Sequence, residues 1–351
     1  MKILVAPLDW GLGHAARCVP LIHSLIKHGY NIVLGGSGLS GKLLQLEFPT
    51  LPYLEIPGYD ITYSSKLPMS IAMLRQAPGI LRSIQNEKKW LEQKMEVEKF
   101  DVVISDHRYG LYNKNVFSVF MGHQLFISSG SSDLLEPMLW KVNKSYIENF
   151  NLCWIPDLPG DENASGKLSH KNLIPFPHNY IGLLSRLSPG MNEEKIYKAA
   201  FILSGLEPLR TELENILIQQ SYDLEEGRYI LIRGTDQPIQ KTPPNNMEVI
   251  DLADSKKMGE VIKQSEIMVS RAGYSSIMDY LVTVSRAILI PTPGQTEQEY
   301  LAKYHYESGN FYRVEQSKLD LKNDLKLGFT FSPQLSNDAG LLEKAIKELP
   351  I

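Results

Sequence analysis

The chain of 351 residues holds two cysteines, Cys18 and Cys153, in unrelated segments with no second metal-type ligand beside either. That scarcity argues against a disulfide framework and a structural zinc site, and it suits a reducing compartment. No run approaches the roughly 18 consecutive apolar residues that a membrane-spanning helix needs. The opening Met1-Lys2-Ile3-Leu4-Val5 reaches Asp9 too soon for the apolar region of a signal peptide, so a soluble, cytoplasmic protein is expected. A basic excess is missing too: 36 Lys and Arg stand against 40 Asp and Glu, a net charge of −4, which speaks against nucleic acid as the main partner. Internal repeats and low-complexity tracts are absent.

What the chain does have is alternation of short β-branched runs with longer helical patterns, the signature of α/β units around parallel sheets. Strands are expected at Ile3 to Ala6, Ile32 to Leu34, Tyr53 to Ile56, Val102 to Ser105, Val116 to Phe120 and Leu152 to Ile155. Helices should fill Ala15 to Lys27, Ser40 to Glu47, Met69 to Glu98 with an interruption at Pro78, and Leu134 to Glu148. Residues 156–195, rich in Pro and Gly, read as a long irregular connector. The alternation then restarts with strands near Ala200, Tyr229, Val249, Ile267 and Ala287 and ends in a helix over Ala339 to Leu349. This length suits two domains. The expected division is 1–185, a linker at 186–198, a second domain at 199–335, and a helix at 336–351 that packs back toward the first.

Two glycine turns stand out. Asp9-Trp10-Gly11-Leu12-Gly13-His14-Ala15-Ala16-Arg17 follows one apolar run, and Ser270-Arg271-Ala272-Gly273-Tyr274-Ser275-Ser276 follows another. Strand, glycine turn and helix start leave unpaired backbone N–H groups facing a crevice, a ready place for phosphate. The first turn satisfies the dinucleotide glycine pattern. It lacks the acidic residue about 20 positions on that would hold a ribose, since the second strand runs out in Leu34-Gly35-Gly36-Ser37, so NAD and FAD are disfavoured.

His14, in the first helical turn, is placed to take a proton from a hydroxyl nucleophile. Asp106, ending another strand of the same sheet, is placed to orient it, and His107 adjoins on the acceptor side with Gly11 and Gly13. The plainer alternative makes His14 a packing residue and Asp106 a loop starter. In the second half Ser275 and Asp279 share a helix face, suited to ribose hydroxyls, although Ser276 and Asp279 also read as a capping pair. Thr296 and Glu299 form another capping box, which leaves Gln298 as the better sugar contact. Ser204-Gly205-Leu206-Glu207-Pro208 opens a further helix toward the same crevice, and Arg233, at a strand end, could add a cation there or merely be exposed.

Ser270 to Asp279, followed by Ile288-Leu289-Ile290-Pro291 and Gln298-Glu299-Tyr300, resembles the C-terminal signature of glycosyltransferase family 28, the group containing the peptidoglycan N-acetylglucosaminyltransferase and the galactolipid synthases. The Gly11-x-Gly13-His14 turn resembles that family's N-terminal glycine loop. The resemblance implies a GT-B fold, two facing Rossmann-like domains with a cleft between them, the acceptor bound by the first and the donor by the second. It implies inverting chemistry with no metal or other cofactor, and the lack of any Asp-x-Asp pair agrees. By position, Arg271, Gly273, Tyr274 and Ser275 would surround the diphosphate, Asp279 the ribose, Gln298 and Glu299 the donor sugar, and Leu252-Ala253 the uracil. The family usually has Glu in place of Asp279 and Gln in place of Glu299. The expected activity is transfer of N-acetylglucosamine or galactose from a UDP-sugar to a hydroxyl acceptor. A nucleotide-sugar epimerase or hydrolase, and a non-catalytic sugar-nucleotide-binding protein, remain as rivals. Apolar residues mixed with cations over Leu67 to Arg75, Ile80 to Arg82 and Lys88 to Trp90 suit either a lipid-facing surface for a lipid-linked acceptor at the inner membrane face or, preferred here, a core helix with a solvated basic face.

Overall fold

The computed structural model describes residues 1–59, 69–127, 135–187, 194–205, 207–335, 337–338 and 340–350, with 69–75 described as backbone alone. They form two compact units, one of nearly all described residues up to Ser185 together with those from Asn337 on, the other of those from Arg186 to 335.

The first unit is built on seven parallel strands, β1 (Lys2–Pro7), β2 (Asn31–Gly36), β3 (Tyr53–Glu55), β4 (Val102–Asp106), β5 (Phe117–Met121), β6 (Leu152–Ile155) and β7 (His178–Tyr180). Their order is β3-β2-β1-β4-β5-β6-β7. Between them run α1 (Leu12–Lys27), α2 (Gly38–Glu47), α3 (Met69–Glu98), α4 (Glu136–Ile147) and the short α5 (Lys167–His170). Ile3, Leu4, Val5 and Ala6 are all fully buried. A central parallel strand is covered on both faces, which is why it reads as a continuous apolar run. On the face that carries Leu4, Val103, Phe120 and Cys153, one cluster gathers around Leu4, Val33, Leu91 and Val103 and a second around Phe120, Phe150, Cys153 and Phe176. The order turns back between β1 and β4, where Pro7 pairs with Asp106 and the Leu8 N–H donates to the Asp106 carbonyl at 2.9 Å. At such a reversal successive connections leave on opposite faces and open a crevice at the carboxyl ends of the strands.

The second unit repeats the plan with β8 (Tyr197–Ile202), β9 (Arg228–Ile232), β10 (Met247–Ile250), β11 (Met268–Ser270), β12 (Ala287–Leu289) and β13 (Tyr312–Arg313), in the order β10-β9-β8-β11-β12-β13. Its helices are α6 (Leu209–Ser221), α7 (Ser255–Gln264), α8 (Tyr274–Val282), α9 (Thr296–Glu307) and α10 (Leu321–Gly328). The reversal falls between β8 and β11, so the loops carrying Ser204-Gly205 and Gly273 flank it. The last helix, α11 (Gly340–Lys347), belongs to the first unit: Ser24 Oγ donates to Glu343 Oε1 at 2.9 Å and Asn179 Nδ2 to Glu348 Oε2 at 2.8 Å.

Several expectations need correction. The connector 156–195 contains α5 and the edge strand β7, whose three residues are too few to show a period. Its first loop is ordered by buried Asp157, which accepts from the N–H groups of Leu158, Ala164 and Ser165 at 2.8, 2.8 and 2.9 Å. β8 begins at Tyr197, inside the expected linker, of which residues 188–193 lie outside the described set. α1 starts at Leu12, three residues early, and α3 carries Pro78 within it. The acceptor-side stretch from Leu67 to Arg75 lies outside the described side chains. Farther along α3, Leu91 and Glu87 are buried while Leu81, Arg82, Lys88 and Lys89 face outward, the arrangement of a core helix with a basic outer face. Among the described residues no helix is long and apolar enough to cross a membrane.

α3 is held close against the loop after β4. A Cβ on Gly110 would stand 2.2 Å from the Ile84 carbonyl oxygen and 2.6 Å from Glu87 Cβ. Gly110→Ala should therefore destabilise the first unit by about 1–3 kcal/mol, the usual cost of overpacking against backbone. Urea unfolding followed by circular dichroism checks this; an unchanged midpoint would mean that α3 yields without cost.

Candidate functional site

The reversal in the first sheet gathers ionisable side chains from three elements. Gly11, at φ 88°, caps α1 and makes His14 the third helical residue, with Arg17 three further along the same face. His14 Nδ1 lies 3.2 Å from Oδ2 of Asp106, the last residue of β4. Arg17 Nε donates to that oxygen at 2.7 Å and Nη2 donates to Oδ1, a bidentate pair with the carboxylate. Arg17 Nη1 donates to His123 Nδ1 at 2.9 Å, and Nη2 lies 2.9 Å from Nδ1 of both His14 and His107. His107 follows β4 with φ +58°, a left-handed backbone that a side chain adopts at a cost, and its Nδ1 is 3.1 Å from Asp106 Oδ1. Its ring occupies the space left by Gly122, where a Cβ would lie 2.7 Å from Cε1. The His14 and His107 rings meet edge to face at 5.2 Å.

Asp106 is wholly buried, which raises its pKa, but the Arg17 charge, then His14 and the hydrogen bonds, outweigh burial and hold it well below the usual carboxylate range. Burial takes His107 down to about 3, so that ring is neutral. The Cys18 thiol beside Asp106 is pushed well up, first by burial and then by that carboxylate, and is inert as a nucleophile. The ligand-type atoms of His14, Asp106 and His107 lie within 4.8 Å of one another. Arg17 Nη2 contacts all three, so their centre already holds a cation and does not fit a metal.

Beside this group Arg108, fully buried, bonds Glu87 Oε1 at 2.9 Å and the carbonyls of Pro7 and Pro57. Tyr59 Oη donates to Glu87 Oε2 at 2.7 Å. These bonds join α3, the loop after β3 and the end of β4.

At the second reversal the turn after β11 leads into α8 with Gly273 as its cap, and a Cβ on Gly273 or on Gly205 would meet none of the described residues within 4 Å. Backbone on both loops is thus open to a ligand. Ser275 and Asp279 share a face of α8, and Asp279 is buried. Ser276 lies inside the helix, so it caps nothing there. The Tyr274 side chain is buried. Leu252 and Ala253 follow β10 just before Asp254, whose carboxylate caps α7 through the Lys257 N–H at 2.7 Å.

Two arginines expected at the donor are spent on structure, and Gln298 and Glu299 each carry a structural bond as well. Arg233 is neither exposed nor free to meet a phosphate: it is buried, with Nε 2.9 Å from Glu214 and Nη1 2.6 Å from Asp251. Arg271 points inward and donates to the carbonyls of Leu209, Ile290 and Pro291 at 2.7, 3.4 and 3.3 Å, and burial takes its pKa down to about 10. Gln298 has a structural bond after all, its Oε1 accepting from the Thr292 N–H at 2.9 Å. Glu299 Oε1 accepts from the Gly294 N–H at 2.9 Å, and Gln295, not Thr296, caps α9. Sequence reasoning missed Arg17 and His123. The i, i+3 spacing from His14 was the available signal for Arg17, whereas His123 reaches the group only through sheet pairing.

Residues 213–345 match the glycosyltransferase family 28 C-terminal domain. An uncharacterized glycosyltransferase of Methanosarcina mazei is 24% identical over 88% of this chain and 84% of its own length. The UDP-N-acetylglucosamine–N-acetylmuramyl-(pentapeptide) pyrophosphoryl-undecaprenol N-acetylglucosamine transferase of a Sulfurihydrogenibium species is 24% identical over 53% of this chain and 50% of its own. Among solved structures, the kitacinnamycin glycotransferase superposes with a TM-score of 0.63 at 14% identity, covering 99% of this chain and 94% of that one.

The imidazole of His107, only 12% exposed, makes stability depend on pH. In the unfolded chain it protonates near 6.5, in the folded protein only near 3, so between those values the unfolded state binds more protons. Stability should fall as pH drops through this window, by up to about 1.4 kcal/mol per pH unit from this one group. His107→Asn should flatten that dependence; denaturation midpoints measured across the window that keep the parent's slope would assign the proton elsewhere.

Proposed function

The chain is a glycosyltransferase of the GT-B fold with a family 28 C-terminal domain, and from that premise we propose that it transfers N-acetylglucosamine or galactose from a UDP-sugar to a hydroxyl acceptor, with inversion and without metal or other cofactor. The observation that carries this reading is the contact of His14 Nδ1 with Asp106 Oδ2 at 3.2 Å, at the reversal of the first sheet. Asp106 orients the imidazole through Nδ1, and Nε2 takes the acceptor hydroxyl's proton as its oxygen attacks the anomeric carbon. The bond from that carbon to the β-phosphate oxygen breaks, and its electron pair leaves with UDP.

The second unit serves the donor. N–H groups of the Gly273 turn and of Ser204-Gly205 stabilise the charge growing on the departing diphosphate, without help from Arg233 or Arg271. Asp279 and Ser275 hold the ribose, and backbone near Leu252-Ala253 takes the uracil. With Oε1 of Gln298 held by Thr292, its amide turns N–H donors toward the sugar, while Glu299 keeps one carboxylate oxygen as an acceptor. The name of the Sulfurihydrogenibium relative supports UDP-N-acetylglucosamine as donor and a lipid-linked acceptor, which would place the work at the inner face of the membrane, reached from the cytoplasm.

UDP or a UDP-sugar should raise the melting temperature while NADH does not, since a ligand of the folded state alone stabilises it. A shift with NADH only would sink the reading. His14→Ala should lower kcat by roughly 10²–10⁴ and leave UDP affinity intact. Asp279→Ala should instead raise donor KM about tenfold to hundredfold, the loss of a charge-assisted bond. Mass spectrometry of the products completes the test: UDP released with free sugar, and no glycosylated acceptor, would make the protein a hydrolase.

A further inference from the structure

We propose that Arg233 is a positioning residue for the nucleotide: it fixes the spacing between the Ser204-Gly205 loop after β8 and the Asp251-Leu252-Ala253 loop after β10. The inference rests on the function proposed above, in which the first loop meets the diphosphate and the second the uracil. β9 lies between β8 and β10 in the sheet, and Arg233 is the first residue beyond its end. Adjacent strands run about 4.7–4.9 Å apart, so the ends of β8 and β10 stand about 10 Å from each other, a gap that one nucleotide has to bridge. Past the strand ends the sheet's own hydrogen bonds stop, and loops are the mobile part of a fold unless something else holds them.

Arg233 supplies that hold in both directions. Its N–H donates to the Ile250 carbonyl at 2.8 Å, and its Nη1 donates to Asp251 Oδ1 at 2.6 Å. The Asp251 carbonyl in turn accepts from the Thr235 N–H at 3.2 Å, so the loop after β10 is tied twice to the loop after β9. Toward β8 the contact is between backbones. Gly234, at φ +68°, lies so close that a Cβ on it would stand 2.3 Å from the Leu203 carbonyl oxygen and 3.5 Å from Ser204 Cα. Glu214 of α6 anchors the guanidinium: its Oε2 accepts from Nε at 2.9 Å and its Oε1 from Nη2 at 3.2 Å. Arg210 joins the same Oε2 at 2.6 Å and also donates to the Arg233 carbonyl at 3.3 Å and to Glu207 Oε1 at 2.6 Å.

Stability is a poor reason for such a bridge. Buried ion pairs are often replaced by apolar residues of like volume without loss, and the outer end, Asp251, is largely exposed, where an ion pair contributes little. What the bonds do is order two loops before a ligand arrives, so that binding does not bear that cost. The Arg233 charge is already met by Glu214 and Asp251, so it acts on the donor through the loops it holds and not by neutralising phosphate. A lysine there would lack the planar fork that reaches both carboxylates.

Asp251→Ala in the intact chain cuts the exposed end of the bridge and leaves the buried end in place. UDP dissociation constant, by calorimetry, and donor KM should rise together by about tenfold, with a smaller fall in kcat and a nearly unchanged melting temperature. Arg233→Lys should give a similar rise, and the double variant little more, because the bridge is already broken. Wild-type UDP affinity in folded Asp251→Ala, or costs that add in the double variant, overturn the inference. Amide hydrogen exchange of the ligand-free chain gives a readout without substrate: Arg233→Lys should quicken exchange at both Ser204-Gly205 and Leu252-Ala253. Faster exchange at only one of the two loops would mean that Arg233 does not couple them. A wild-type protein that binds no UDP removes the donor reading and this inference with it, whereas variants that bind UDP as tightly as the wild type remove the inference alone.

Discussion

The first unit depends on one buried ion pair, Asp106 with Arg17. Both side chains are almost completely removed from water, and burying either charge alone would cost several kcal/mol. The two residues come from elements 89 positions apart, the end of β4 and the second turn of α1. Their pairing therefore fixes how α1 sits over the sheet at the point where strand order reverses. His14, His107, His123 and Cys18 all take their environment from that pair: two imidazole nitrogens lie 2.9 Å from Arg17 Nη2, a third accepts from Nη1, and the thiol is kept protonated by burial and then by the carboxylate beside it. Removing one partner would leave the other as an uncompensated charge with the whole histidine group around it.

The second unit solves the same topological problem with a different balance of charge. Glu214, fully buried, lies between Arg210 at 2.6 Å and Arg233 at 2.9 Å, and Arg233 continues to Asp251. This chain of ions joins α6, the end of β9 and the loop after β10, and it spends the cationic charge on structure. Arg271 does likewise through three carbonyls. What the loops at the reversal present to a ligand is therefore backbone N–H and a few polar side chains. The histidines gathered around Asp106 lie in the first unit and the open glycine turns in the second, a division that suits the acceptor activation and leaving-group stabilisation proposed above.

Packing at glycines keeps these arrangements in place. Gly122 leaves room for the His107 ring and Gly110 for the approach of α3, so both sites tolerate no Cβ without movement of what they face. The opposite holds at Gly205 and Gly273, where a Cβ would meet none of the described residues within 4 Å, whereas Gly110 and Gly122 mark backbone that the protein itself approaches.

The sequence by itself determined the α/β class, the two sheets and the places where glycine turns break strand from helix, because apolar runs and their punctuation are local properties. It also placed His14 in a first helical turn, Asp106 at a strand end and Asp279 one turn inside a helix, since the order of elements puts them there. Three-residue β7 and two-residue β13 carried no period to read, and the irregular stretch 156–195 hid a strand whose only evidence is its hydrogen-bonded neighbour. That Arg233 and Arg271 are spent on the protein, and that Gln298 and Glu299 each give one oxygen to a backbone N–H, was decided only by tertiary structure: a strand-end or first-turn position says where a side chain begins, and the carboxylates, carbonyls and N–H groups it finds in three dimensions say where it ends. The Arg17–Asp106–histidine group belongs to the same class. Its members are scattered over more than a hundred positions, and only the parallel pairing of β1, β4 and β5 brings them within hydrogen-bond distance.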